Sequence, residues 1–170
     1  PESGAEMMAI NNEINIFDPK LNWENMENSE LLGKKLIEHY HHLTEIMNQH
    51  PSDIGVLVPD QKLGIAIVKM FERKLKVGSN HVFKMNDDDL FNNKRSFYMG
   101  DSRLKVCTIH SFKGWELKNL IILITDDAKT VGQLDKLVYT SLTRTLSSLK
   151  VFNFSDRYEE YGNSWNETKY

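Results

Sequence analysis

The chain has 170 residues, 40% of them apolar and 26% charged, which suits one domain with a real hydrophobic core and excludes a disordered or fibrous polymer. The net charge of −3 gives no global basic field, so a free-standing, high-affinity nucleic-acid binder is disfavoured while a local basic patch is not. A single cysteine, Cys107, excludes a disulfide framework, and the lack of an apolar run near 20 residues or of a signal peptide predicts a cytoplasmic protein with no membrane partner.

The elements follow in chain order. The chain begins Pro-Glu-Ser-Gly rather than with Met, which leads us to expect either a piece of something longer or a start at Met7 or Met8 behind added residues. Ile14 to Phe17 alternates and predicts a short strand. Asn28, Ser29 and Glu30 read as a helix start. The stripe Leu32, Leu36, Tyr40, Leu43, Met47 then has the period of a helix buried on one face, ended by Pro51. Ile54 to Val58 (IGVLV) reads as a buried strand. Asp60 is a candidate N-cap for a second helix marked by Leu63, Ile67, Met70, Phe71 and Leu75. Gly78 to Asn80 predicts a turn and His81 to Met85 a strand. Asn86 to Gly100 reads as a loop with a short helix. Leu104 to Ile109 and Leu120 to Ile124 predict strands. Val131, Leu134, Leu137, Val138 and Leu142 mark the last long helix, and Leu149 to Phe154 a final strand. The polar, aromatic tail from Asp156 is expected to fray.

The predicted order is β-α-β-α-β-β-β-α-β. Two of the strands are nearly all apolar, as in sheets covered on both faces by crossover helices. The expected fold is α/β, an open, mostly parallel sheet with helices on both faces. Residues 1–155 are expected to form the domain and 156–170 a C-terminal tail.

The chemistry concentrates in two stretches. In Thr108 to Glu116 (TIHSFKGWE) a strand breaks into a polar loop, and ligands of open α/β sheets bind at the carboxyl ends of strands. Gly114 permits backbone conformations or approaches that a side chain blocks. Glu116 is an acceptor suited to a ribose hydroxyl pair. Thr108 and His110 can donate to phosphates or bases. A strand followed by a merely solvated loop fits the residue types equally well. Arg144 is expected in the last turn of a helix, where it either complements the helix dipole or serves as a donor to a transferring phosphoryl group.

These two stretches resemble motifs of the UvrD/Rep-like superfamily 1 DNA helicases. Lys105 to Glu116 (KVCTIHSFKGWE) is similar to motif V, T-x-H-x-x-K-G-L-E, with Thr108, His110, Lys113, Gly114 and Glu116 at matching positions. Trp115 stands where Leu is usual. Leu137 to Thr145 (LVYTSLTRT) is similar to motif VI, L-x-Y-V-A-L-T-R-A, through Tyr139, Leu142, Thr143 and Arg144. Ile54 to Asp60 resembles the first strand of the family's second motor domain, with Pro59 where Arg is common.

The resemblance implies a RecA-like fold and the second motor domain, 2A, of an ATP-dependent DNA helicase. It implies that ATP binds between this domain and an N-terminal RecA-like motor domain of the same protein. That partner carries the Walker motifs and the Mg2+. By the same resemblance Arg144 is the catalytic arginine finger, and Glu116 contacts the ribose, with Lys113 and Gly114 beside the nucleotide. Thr108 and His110 then contact single-stranded DNA. The chain has no G-x-x-x-x-G-K-[ST]; neither Gly33-Lys-Lys35 nor Lys113-Gly114 fits it, so the chain alone is expected to be inactive. The family's Q-N-Y-R segment is absent too. Only 47 residues separate Val58 from Val106, which leaves no room for the inserted 2B domain of larger family members.

Three further features invite weaker readings. Glu38 to His42 (EHYHH) suggests metal ligands, but His39, His41 and His42 face different ways on a helix, and no metal is expected. Asp87 to Asp89 lacks the spacing and glycine of a calcium loop. Tyr158, Tyr161, Trp165 and Tyr170 could stack on bases, cover the domain edge or dock on a partner domain. A second reading of the whole chain is a non-catalytic RecA-like nucleic-acid-binding or protein-docking module. A Walker A segment upstream in the parent protein would discriminate against it.

Overall fold

The computed structural model describes residues 20–84, 97–126 and 131–167. In chain order these form β1 (Lys20–Asn25), α1 (Leu32–His41), β2 (Ile54–Val58), α2 (Gln61–Leu75), β3 (Ser79–His81), β4 (Leu104–Thr108), β5 (Leu117–Ile124), α3 (Val131–Leu142), β6 (Thr145–Asn153) and α4 (Glu159–Glu167). The strands make one six-stranded sheet in the order β1-β6-β5-β2-β4-β3. Every pairing is parallel. The α/β expectation holds, and the sheet is wholly parallel rather than mostly so.

The central strands are apolar because both faces are covered. All five residues of β2 are buried. Val56 and Val58 point to a core built with Leu36 and Tyr40 of α1 and Ile67 and Phe71 of α2. Leu57 faces the opposite core, with Cys107, Phe112, Ile122 and Val138 of α3. The predicted helix stripes are the buried ones: Leu32, Leu36, Tyr40 and Leu43 are each at most 7% exposed. Asp60 caps α2 as expected, its carboxylate accepting the Leu63 N–H at 2.9 Å. Beyond His41 the helix continues as a π turn over His42–Ile46, with the Met47 N–H donating to His42 O at 3.0 Å. Gly64 on α2 is needed for close packing, since a Cβ there would lie 2.1 Å from Cζ of Phe83.

Three expectations change. Ile14 to Phe17 and Asp87 to Asp89 lie outside the described residues, and the first described strand is β1, which the sequence analysis did not foresee. Its sequence KLNWEN carries only two apolar residues, because it is an edge strand anchored on one face by Trp23, 2% exposed. The turn expected at Gly78 to Asn80 and the strand expected at His81 to Met85 give way to a strand at Ser79–His81, held by pairing with β4 rather than by apolar pattern. The tail expected to fray instead contains α4, which packs on β1. Tyr161 meets Trp23 edge-on with ring centroids 5.2 Å apart, and Gly162 lets the helix approach the Trp23 ring.

The topology fixes where the two motif stretches emerge. β4 and β5 are parallel but separated in the sheet by β2. The connection 109–116 must therefore return from the carboxyl edge of the sheet to the amino edge. Thr108 pairs with Val58 and Leu57 with Ile122, so Thr108 is level with Leu123. Glu116 lies seven residues earlier on that line, roughly 20 Å away at about 3.3 Å per residue.

Candidate functional site

The amino edge holds the first half of the site. α3 ends at Leu142, Thr143 and Arg144 turn, and β6 begins at Thr145. Arg144 is thus two residues past the helix, not in its last turn as expected. The turn is fixed by the Arg144 N–H donating to Ser141 O at 3.2 Å. The Leu117 N–H donates to Arg144 O at 3.2 Å, the first rung of the β5–β6 ladder. That rung sets Arg144 beside Glu116. Nη1 of Arg144 donates to Oε1 of Glu116 at 3.2 Å. The two side chains are 34% and 51% exposed. An ion pair of this exposure contributes about 0–1 kcal/mol, so either partner exchanges readily for a ligand group. Among the described residues, Nε of Arg144 and Oγ1 of Thr145 are buried without a hydrogen-bond partner.

From the sequence, Glu116 is expected with the polar cluster at the carboxyl end of a strand; it precedes β5 and stands at the opposite edge. The reason is the crossover just described: a parallel neighbour in the chain cannot begin where its predecessor ended.

The carboxyl edge holds the second half. The Ile109 N–H donates to Val58 O at 3.1 Å, carrying the ladder one residue past β4. The chain then folds into a tight turn in which the Ser111 and Phe112 N–H groups donate to Thr108 O at 2.9 and 3.1 Å. The Thr108 hydroxyl is engaged locally, 3.0 Å from Oγ of Ser111. Phe112 is 2% exposed and pins the turn to the core. His110, by contrast, is exposed. Lys113 and Gly114 lie on the returning connection, both exposed. Gly114 adopts φ +93° with nothing near a would-be Cβ, so glycine serves backbone conformation there and not close approach.

The structure therefore brings Glu116 and Arg144 together and keeps Thr108 and His110 on the far edge, with Lys113 and Gly114 between. Among the described residues eight large hydrophobic side chains are exposed, Trp115 and Tyr139 among them, an exposure that the sequence does not announce. Only Tyr139 and Trp115 belong to the motif stretches, and their types alone do not distinguish core from surface.

The histidines of Glu38 to His42 do not converge. His41 pairs with Glu45, Nδ1 to Oε1 at 2.6 Å. The His39 and His42 rings stack, centroids 6.2 Å apart, beside a cleft of about 300 Å³ lined also by Leu21, Leu43, Met47 and Lys150. Burial, then the Lys150 ammonium and His42, push the His39 imidazole down to about 4. Among the described residues no three metal-ligating side chains gather. No described helix is long and apolar enough to cross a membrane.

No family model matches the chain. No curated protein matches it. Among solved structures it is similar to the C-terminal domain of a possible DNA helicase from Lactobacillus plantarum WCFS1, at 13% sequence identity, with 80% of this chain and 73% of that chain covered and a TM-score of 0.47.

Proposed function

We propose that this chain is the second RecA-like motor domain of an ATP-dependent DNA helicase similar to the UvrD/Rep-like superfamily 1 enzymes. The observation that carries this reading is the contact between Glu116 and Arg144. They belong to separate motif stretches, yet the first rung of the β5–β6 ladder sets them together at one edge. The pair is chemically suited to a nucleoside triphosphate. A carboxylate accepts from ribose hydroxyls, and a guanidinium donates to phosphate oxygens in a geometry that lysine cannot reproduce.

The division of labour follows from position. ATP binds between this edge and an N-terminal motor domain that supplies the Walker residues and Mg2+. Arg144 leaves Glu116 for the γ-phosphate as the two domains close, and its charge opposes the charge developing there. Glu116 is released to the ribose. The partly exposed Trp115, next to Glu116 in the chain, fits a surface that another domain covers. Thr108 and His110, on the opposite edge, meet single-stranded DNA, and the connection 109–116 joins the two ends mechanically.

Separate production of the two domains tests this. The chain alone is expected to turn over no ATP, and adding the N-terminal motor domain of the same protein is expected to restore DNA-stimulated hydrolysis. Turnover by the chain alone that survives Arg144→Ala would overturn the reading.

A further inference from the structure

The outward face of α2 carries a row of cations and no acid. The helix buries Gly64, Ile67, Val68 and Phe71. At about 100° per residue, Lys62, Ala66, Lys69 and Arg73 lie on the opposite side, within about 60° of one another. All four are exposed. Lys76, exposed at the left-handed C-cap, follows them. From Lys62 to Lys76 the row spans about 21 Å along the helix axis. Among the described residues the side chains of Lys62, Lys69, Arg73 and Lys76 have no ion pair or hydrogen bond. α1 shows the ordinary alternative: its outward face pairs Lys34 with Glu38 at 3.6 Å and His41 with Glu45 at 2.6 Å. The row on α2 does not serve the helix. Lys69 and Arg73 are like charges one turn apart, an unfavourable pair. Lys62 sits in the first turn, where the helix dipole disfavours a cation and no acid within the turn offsets it. The dipole accounts for Arg73 and Lys76 at the other end, but not for Lys62 and Lys69. In a chain with 24 acidic and 21 basic residues, such a row is segregated charge.

We propose that the outward face of α2 holds the phosphate backbone of duplex DNA, a surface separate from the Thr108 and His110 turn; the proposal takes its DNA partner from the reading above. β2 and β3 flank β4 and run parallel to it, so α2, which joins them, passes from the carboxyl edge of the sheet to the amino edge. Lys62 follows closely on Val58, the partner of Thr108. The row therefore starts at the edge assigned to the single strand and leads away from it down the outside of the domain. It supplies charge alone. No aromatic side chain interrupts it to stack on unpaired bases, as in single-strand tracks. Contacts to phosphate position a duplex and carry no sequence information. The surface thus takes duplex of any sequence, by releasing its condensed counterions.

The test uses the 170-residue chain and the fluorescence anisotropy of a labelled duplex oligonucleotide, titrated over a salt series. Four phosphate contacts predict a loss of affinity of about a hundredfold between about 50 and 200 mM salt, and the two left in Lys69→Gln/Arg73→Gln a loss of only about tenfold. The double variant is expected to keep the parent's Tm, since it removes a like-charge pair. Lys34→Gln and Lys118→Gln, which remove cations already paired with acids, are expected to leave affinity and salt dependence unchanged. Equal salt dependence in the parent and in Lys69→Gln/Arg73→Gln would overturn the proposal. If His110→Ala nevertheless weakens binding of a single-stranded oligonucleotide, the helicase reading stands without it. Displacement of the duplex by polyglutamate as readily as by unlabelled duplex of equal charge would assign the row to an acidic protein and overturn the DNA assignment. If neither duplex nor single strand binds at the lowest salt, both fail.

Discussion

Arg144 donates to Glu116 across the first rung of the β5–β6 ladder, and so the free domain holds its candidate phosphate ligand on its candidate ribose ligand. On the function proposed above, a nucleotide separates the two groups. Glu116→Ala is then expected to have a specific signature in the full-length protein. It should weaken ATP binding and erase any preference for ATP over 2′-deoxy-ATP. A charge-assisted hydrogen bond to a hydroxyl contributes about 1.5–3 kcal/mol. Equilibrium binding of both nucleotides to parent and variant measures this. An unchanged preference would remove Glu116 from the ribose.

His110 stands at the other edge, exposed, on a turn pinned by Phe112. His110→Ala is expected to lower DNA-stimulated ATP hydrolysis by the full-length protein far more than DNA-independent hydrolysis. Rates with and without an oligonucleotide, over a salt series, decide it. An equal loss of both rates would place His110 at the nucleotide.

The fold itself has a titratable weak point. His39 is pushed down to about 4 from its ordinary 6.5 by burial, by Lys150 and by His42, with Glu24 opposing. The unfolded chain therefore binds the proton more readily than the folded one between those values. Stability is expected to be complete above about pH 6.5 and to decline as pH falls towards 4, by on the order of 2 kcal/mol for this group. Urea unfolding across that range, on the parent and on His39→Gln, checks it. A slope that is identical in the two proteins would contradict the assignment to His39.

Gly64 is expected to be irreplaceable. A Cβ there would sit 2.1 Å from Cζ of the buried Phe83, so the ring and α2 must shift. Gly64→Ala should cost about 1–3 kcal/mol, despite alanine's better helix propensity. Thermal unfolding of the variant measures the sign directly, and a raised Tm would show that the contact relaxes freely.

The fold was legible where burial is two-sided. Ile54 to Val58 and Leu120 to Ile124 read as strands because nothing polar interrupts them, and the stripe from Leu32 to Leu43 read as a helix because one face is wholly buried. β1 was not legible, since an edge strand needs few apolar residues and Trp23 draws its burial from α4, over 130 positions away. β3 is held by a partner strand and not by its own composition. At the site, the resemblance of Thr108 to Glu116 and of Leu137 to Thr145 to helicase motifs singled out the two stretches, which their residue types alone did not. Their placement did not follow from the sequence. That the connection 109–116 returns to the amino edge depends on β2 lying between β4 and β5, which no local pattern encodes.

Arg144→Ala in the full-length protein tests the central claim most directly, with ATP binding and ATP turnover measured on the same preparation. An arginine that acts on charge developing during phosphoryl transfer is expected, when removed, to lower kcat by about three orders of magnitude or more and to leave ATP affinity largely intact. A normal kcat in the Arg144→Ala protein would contradict it.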